Sequence, residues 1–216
     1  MSGFTLYGQN GFGSTCIEAA LELLGLPYDF VETDPFGDQP DQDRLATVNP
    51  IGQVPVLILP EDDVMTESAA MLIYLGDLDG EHRFAPPVDS NERSEYLRWL
   101  VFLAANLYPT HTISDGPARF HPDPDTHEQL RGRATERRKM LWEVMEEHFD
   151  GLPGPYLLGD HLSFLDVYVA MMSFWSPRRD WFFEHCPRLS TAVRAAEKDR
   201  TLAAVWKRNF ELEVSE

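Results

Sequence analysis

The chain has 216 residues, of which 43% are hydrophobic and 25% are charged, enough for one large domain or two small ones with a real core. Its 36 acidic and 18 basic residues give a net charge of −18, which disfavours a nucleic-acid partner or an anionic membrane surface. No apolar run is long enough to span a membrane, no secretion signal is evident, and the only cysteines are Cys16 and Cys186, so we expect a reduced cytoplasmic protein.

The first part of the chain alternates between strand and helix patterns. Residues 15–24 carry apolar side chains at helical spacing, Gly25 can end that helix, and Thr15 with Glu18 has the spacing of a capping box. We expect a strand at 4–7, a helix at 15–24, a strand at 28–33, a loop at 34–43, a short helix, strands at 54–59 and 64–66, and a helix at 68–78. This order predicts an α/β domain with a mixed sheet.

The rest of the chain shows only helical patterns. Pro86 and Pro87 mark a linker over 83–89, a long helix over 92–107 is expected to stop at Pro109, and residues 114–125 form a polar loop. Further helices are expected at 126–149, 163–175, 181–185, 188–198 and 201–210. The sequence therefore predicts an α/β domain over 1–82 and an all-helical domain over 90–216.

The most specific segments are NPIGQVPVLIL at 49–59 and MTESAAMLIYL at 65–75. Together they resemble the glutathione-binding half of glutathione S-transferases, of a bacterial, cytosolic type. The resemblance implies a thioredoxin-like N-terminal domain followed by a helical C-terminal domain.

The same resemblance implies a binding site for glutathione, as co-substrate, in the first domain. A cis bond between Val54 and Pro55 would turn the Val54 backbone outward, beside Gln53, to pair with an extended peptide. Ser68 and the helix start can hold a carboxylate, and Glu67 can accept from the γ-glutamyl ammonium or cap its own helix.

A cation often holds the glycine carboxylate in this family, and the first domain offers little for that role. The only basic residues over 1–85 are Arg44 and Arg83. Arg44 is a possible ligand of glutathione, and a solvated surface charge is the alternative interpretation. The surrounding negative charge would repel an anionic tripeptide.

A second signature, YLLGDHLSFLD at 156–166, resembles a motif in the helical domain of the same family. Ser163 and Asp166 have the spacing of a capping box, so this motif is structural. The two signatures occur in the expected order, and the resemblance spans essentially the whole chain.

The family holds the glutathione sulfur with a hydroxyl or thiol near the first strand and helix. Ser14 is the first candidate here, because it follows a Gly-x-Gly turn at the helix start; its alternative role is a helix cap, for which Thr15 competes. Tyr7, at the end of the strand, and Cys16 are the other candidates. Bacterial relatives with a cysteine carry it at the position that aligns with Gly13, which weakens a mixed-disulfide mechanism through Cys16.

The second substrate should lie between the two domains. Phe12, Asn106 and Tyr108 are the candidates for its pocket, with core or dimer packing as the alternative, and residues 114–125 can form a lid. The histidines lack ligand spacing and the turn after the first strand matches no phosphate loop, so neither a metal site nor a nucleotide site is expected.

The resemblance implies a glutathione S-transferase that adds the glutathione thiolate to a small, hydrophobic electrophile, and a symmetric homodimer. Two alternatives stay open. One is a non-catalytic binding or regulatory protein on the same scaffold, and the other is a glutathione-dependent reductase or isomerase. The sequence does not identify the electrophile.

Overall fold

The computed structural model describes residues 3–213. The predicted domains extend from residue 1 to residue 216, so residues 1–2 and 214–216 lie outside the described part. Its first part is α/β. The elements are β1 (Phe4–Gly8), α1 (Ser14–Leu24), β2 (Tyr28–Glu32), α2 (Gln39–Val48), β3 (Val56–Ile58), β4 (Val64–Met65) and α3 (Ser68–Leu78).

These strands form one mixed sheet in the order β2-β1-β3-β4. β1 runs parallel to β2 with Leu6 opposite Phe30, and antiparallel to β3 with Leu6 opposite Leu57. Alternation along β1 sends Phe4 and Leu6 to a fully buried face, while Tyr7 faces the other side of the sheet. The predicted thioredoxin-like α/β fold with a mixed sheet is thereby confirmed.

The second part is helical. It contains α4 (Glu92–Phe102), a π-helical stretch (Leu103–Leu107), α5 (Tyr108–Asp115), α6 (His127–Phe149), α7 (Phe164–Ser173), α8 (Arg179–His185), α9 (Pro187–Glu197) and α10 (Ala203–Phe210). Short 3₁₀ turns lie at Pro117–Arg119, Pro124–Thr126 and Arg200–Leu202.

Two boundary predictions were wrong. The expected loop over 34–43 is helical from Gln39, because the Asp38 side chain caps α2 and Pro40 lies in its first turn, where a missing N–H costs nothing. Pro109 does not stop the helix that precedes it. Pro109 lies in the first turn of α5, as Pro40 does in α2, and α5 continues from the π-helical stretch to Asp115.

The hydrophobic core is continuous across the two parts. All ten residues of α7 are buried, and side chains of α1, α3 and α4 belong to the same cluster. The predicted capping box is present at the start of α7, where the Asp166 carboxylate accepts from the Ser163 N–H at 2.8 Å and the Ser163 hydroxyl at 2.5 Å. It also accepts from the Leu157 N–H at 2.8 Å. This helix therefore fixes the helical part against the sheet.

Among the helices of residues 3–213, none combines the length and the apolar character needed to cross a membrane.

Candidate functional site

A cleft of about 320 Å³ lies between the sheet and the helical part, within the size range of small-molecule sites. One wall comes from the loop before β3 and from the start of α3. The other comes from α5, its flanking segments and α7. The lining residues are Asn49, Ile51, Gln53, Val54, Pro55, Thr66, Glu67, Ser68, Ala104, Tyr108, Pro109, Thr112, Ile113, Phe120 and Tyr168.

The loop before β3 presents backbone groups to this cleft. The Val54–Pro55 peptide bond is cis, as predicted. Pairing between β1 and β3 starts at Val56, so the Val54 backbone lies beyond the ladder. Asn49 is buried and donates from its side chain to the Gln53 carbonyl at 2.8 Å, which holds the loop in place. The structure thus brings Gln53, Val54 and Pro55 together on one wall.

The start of α3 completes that wall. Glu67 is the residue that precedes the helix, with φ of 67°, and its exposed carboxylate makes no capping hydrogen bond. The first amides of α3 are therefore not capped by the side chain that precedes them. The Ser68 hydroxyl lies 2.7 Å from the Tyr168 hydroxyl, so a residue of α7 helps to orient it. This arrangement can bind a carboxylate, because helix N-termini favour anions.

Ser14 does not face the cleft. The prediction that its hydroxyl holds the glutathione sulfur is therefore corrected. The side chain is buried, donates to the Gln9 carbonyl at 3.1 Å and accepts from the Gln9 N–H at 3.2 Å. It thereby closes the turn between β1 and α1. Ser14 is the first residue of α1 and Gly13 precedes the helix, so Ser14 is not the cap either.

The other two candidates for holding the sulfur are also turned away from the cleft. Cys16 is fully buried, its thiol donates to the Gly13 carbonyl at 3.2 Å, and burial raises its pKa. Tyr7 packs against Leu45, Val54 and Val56, on the face of the sheet opposite to Phe4 and Leu6. Neither side chain lines the cleft.

The predicted capping box of α1 is absent, because both of its residues bind the last helix of the chain. Thr15 donates to the Asn209 side-chain oxygen at 2.8 Å, and the buried Glu18 carboxylate accepts from the Asn209 amide at 2.7 Å and pairs with Arg208. The same Asn209 oxygen accepts from the Gly11 N–H at 3.0 Å. The turn before α1 is therefore held by α10. The αL residue Gly25 ends α1, as predicted.

Arg44 is not part of the cleft. Its guanidinium donates to the Glu32 carbonyl at 3.2 Å and pairs with Asp41, so the surface alternative describes it better. A different basic residue, Arg119, lies next to the cleft. It lines a cavity of about 80 Å³ that shares Gln53 and Val54 with the cleft. Of the residues lining these two cavities in the described chain, Arg119 alone carries a positive charge.

A further cavity, of about 420 Å³, adjoins the start of α1. Phe12 and Tyr108 lie on its wall, together with Phe174 and Trp175. Asn106 is exposed and lines none of these three cavities, contrary to prediction. The reason is geometric, since residues two positions from Tyr108 project from the opposite side of a helix.

Comparison with known proteins identifies the family. The sequence model of the glutathione S-transferase N-terminal domain matches residues 14–78. The Escherichia coli K12 protein YncG, described as an uncharacterized GST-like protein, is 38% identical over 205 residues, which cover 94% of this chain and 97% of that protein. The chain belongs to the glutathione S-transferase family.

Two further similarities agree with this family. A zeta-class glutathione S-transferase from Euphorbia esula is 36% identical over 161 residues, covering 73% of this chain and 70% of that protein. A solved structure of a glutathione transferase homologue from Sulfitobacter, with bound glutathione, superposes with a TM-score of 0.84 at 24% identity, covering 95% of this chain and 97% of that one. The second likeness concerns the fold alone.

The sequence did not single out Arg119 or the contact between Ser68 and Tyr168. Arg119 is the only lysine or arginine of the segment 114–125, which can form a lid, and its charge was the available signal. No local pattern connects Ser68 with Tyr168, since these residues are 100 positions apart. In the described residues no group of three or more histidine, cysteine or acidic side chains has the arrangement of a metal site.

His111 should make the folded protein sensitive to acid. The ring is buried against Trp175, and burial together with the nearby Arg138 guanidinium lowers its pKa to about 2. Unfolded His111 takes up a proton below about pH 6.5, whereas the folded side chain does not. Stability is therefore lost as the pH falls through that value, by about 2 kcal/mol between pH 8 and pH 5. Urea unfolding at several pH values measures this loss.

The matched variant for this measurement is His111→Phe, which keeps the ring and removes the titrating group. The buried Asp166, whose pKa is raised to about 6, acts in the opposite direction in both proteins, so the difference between them isolates His111. We expect the acid-dependent loss to shrink by about 2 kcal/mol in the variant. Parallel pH profiles would show that His111 is not the group responsible.

Proposed function

We propose that this protein is a glutathione S-transferase that adds the thiolate of glutathione to a small, hydrophobic electrophile. The observation that carries the proposal is the cleft lined by Val54 and the start of α3, together with the smaller cavity lined by Arg119, which shares Gln53 and Val54 with that cleft. Backbone groups beyond a sheet ladder suit the peptide part of glutathione, and a helix N-terminus and a guanidinium suit its two carboxylates. The glutathione bound in the Sulfitobacter homologue supports the same assignment.

In this proposal each wall of the cleft has a defined task. The amides at the start of α3 and the Ser68 hydroxyl bind the γ-glutamyl carboxylate, and Glu67 accepts from the γ-glutamyl ammonium. The N–H and carbonyl of Val54 pair with the cysteinyl residue. Arg119, from the helical part, binds the glycine carboxylate in place of Arg44.

The electrophile would occupy the cavity of about 420 Å³ next to the start of α1. Phe12 and Trp175 give this cavity apolar surface, which supports a hydrophobic or aromatic substrate. Glutathione and the electrophile would then lie on either side of Tyr108, which borders both spaces. We propose that the protein acts as a homodimer in the cytoplasm, as its resemblance to the family implies.

Titration calorimetry with glutathione, followed by an assay with an activated aryl chloride, tests the proposal. We expect saturable binding of glutathione and release of chloride that depends on both substrates. Arg119→Gln should weaken glutathione binding several-fold, because a charge-assisted contact at an exposed site is lost. Binding without turnover across a panel of electrophiles would favour the non-catalytic alternative, and turnover only with disulfides or isomerisable substrates would favour a reductase or isomerase.

A further inference from the structure

Neither the turn before α1 nor the first residues of α1 direct a hydroxyl or thiol at the cleft. The Ser14 hydroxyl is bonded to the backbone of Gln9, the Thr15 hydroxyl is bonded to Asn209, and the Cys16 thiol is buried against the Gly13 carbonyl. A glutathione sulfur at this turn would therefore meet the amides at the start of α1 but no hydroxyl or thiol donor from the same part of the chain.

Tyr108 supplies a hydroxyl at that place from the helical part. A Cβ atom added to Gly13 would overlap the Tyr108 hydroxyl oxygen, so the phenol fills the space in which a side chain of Gly13 would begin. Gly13 is also the residue that directly precedes α1, and no side chain caps the helix there. The hydroxyl thus lies at the positive end of α1, where a thiolate is stabilised.

The position of the phenol is fixed by packing. The Tyr108 ring lies edge-on to Trp175, with ring centroids 5.5 Å apart and an interplanar angle of 87°. Trp175 in turn donates from its indole N–H to the Gly11 carbonyl at 2.8 Å. Trp175 therefore connects Tyr108 with the turn before α1. The Tyr108 side chain cannot rotate away from the turn without losing its contact with the Trp175 ring.

Tyr108 also borders every cavity that the two substrates would use. It lines the cleft of about 320 Å³, the cavity of about 80 Å³ beside Arg119 and the cavity of about 420 Å³. A sulfur bound next to its hydroxyl would face the electrophile directly. Burial raises the pKa of the Tyr108 phenol, so it stays protonated near neutral pH and can donate a hydrogen bond.

Resting on the proposed function, we propose that Tyr108 is a catalytic residue whose hydroxyl donates a hydrogen bond to the sulfur of bound glutathione. The thiol proton passes to solvent, and the phenol keeps its own proton. The thiolate then attacks the electrophilic carbon, a C–S bond forms, and the leaving group departs with its electron pair, or the adduct takes a proton from water. The hydrogen bond and the start of α1 together lower the pKa of the thiol.

The test compares the pKa of enzyme-bound glutathione in wild type and in Tyr108→Phe, read from the ultraviolet absorbance of the thiolate during a pH titration. We expect that pKa to rise by about one unit or more in the variant, with turnover near pH 7 falling about tenfold. Calorimetry should show glutathione affinity changed by less than about threefold, because the other contacts remain. Tyr7→Phe, a phenol on the other face of the sheet, is the control and should leave the thiol pKa unchanged.

Gly13→Ala gives a second, independent perturbation. Its Cβ would displace the hydroxyl while leaving Tyr108 in the chain, so it should raise the thiol pKa in the same direction. An unchanged thiol pKa in Tyr108→Phe, or a rise in Ser14→Ala alone, would overturn this role for Tyr108 while leaving the transferase proposal intact. Absence of glutathione binding in the wild type would instead overturn the transferase proposal.

Discussion

Replacing Asp166 with alanine is expected to lower the free energy of unfolding by about 3 kcal/mol or more. The carboxylate is fully buried and accepts hydrogen bonds from the Ser163 N–H, the Ser163 hydroxyl and the Leu157 N–H. Alanine would leave these donors without an acceptor, at about 1–3 kcal/mol for a buried unpaired group, in addition to the loss of the helix cap. Urea unfolding measures the change.

The measurement is best made at about pH 7.5 or above, because burial raises the pKa of Asp166 to about 6 and the carboxylate is then ionised. Asp166→Asn keeps one acceptor oxygen and should be less damaging than Asp166→Ala. Asp160→Ala removes an exposed carboxylate from the same loop and should change stability by no more than about 0.5 kcal/mol. Equal effects at Asp160 and Asp166 would contradict a role for the buried network.

Replacing Glu67 with glutamine should weaken glutathione binding about tenfold or more. The carboxylate lies exposed at the start of α3, lines the cleft and makes no capping hydrogen bond, so it is available to the γ-glutamyl ammonium. A hydrogen bond to a charged group contributes about 1.5–3 kcal/mol, and exposure to solvent places this contact at the lower end. Calorimetry measures the affinity directly.

Glu61→Gln is the matched control for this variant. Glu61 is an exposed carboxylate in the turn between β3 and β4 and does not line the cleft. The Glu61→Gln substitution therefore removes the same charge as Glu67→Gln without altering the site. We expect its affinity for glutathione to remain within about twofold of wild type. If both variants bind glutathione as tightly as wild type, the γ-glutamyl group does not bind at Glu67.

Periodicity in the sequence was sufficient to predict most of the fold. Apolar spacing placed the helix at 68–78 where α3 occurs, and it placed the helices near 163–175 and 188–198 within a few residues of α7 and α9. The misplaced boundaries come from proline and from capping. Pro109 stands where a helix tolerates it, and the Asp38 cap starts α2 inside a segment that is polar and rich in proline.

Local segments were enough to predict one wall of the candidate site, and the resemblance to the family supplied Phe12 and Tyr108 as candidates for the second pocket, where both line the cavity of about 420 Å³. Residues 49–59 and 65–75 carry the Val54 backbone and the start of α3 in consecutive elements, so a local motif was enough. Tyr108 reaches the cleft and Arg119 reaches the adjoining cavity of about 80 Å³ from the helical part, and the position of Tyr108 depends on how α5 packs against the turn before α1. No spacing in the sequence encodes that packing.

The turn before α1 shows why a plausible residue type is not enough. Ser14 has the right chemistry and the right position in the chain. However, its hydroxyl already donates a hydrogen bond to the Gln9 carbonyl and accepts one from the Gln9 N–H. The presence of Gly13 was equally informative, because a residue without a Cβ leaves room for a group from elsewhere. Only the tertiary structure shows that this group is Tyr108.

A crystal structure of the protein with glutathione would show directly how the tripeptide binds. We expect the γ-glutamyl group at Glu67 and Ser68, the cysteinyl backbone against Val54, and the sulfur within hydrogen-bond distance of the Tyr108 hydroxyl. Glutathione bound outside this cleft, or crystals that take up none of it at saturating concentration, would contradict this binding mode.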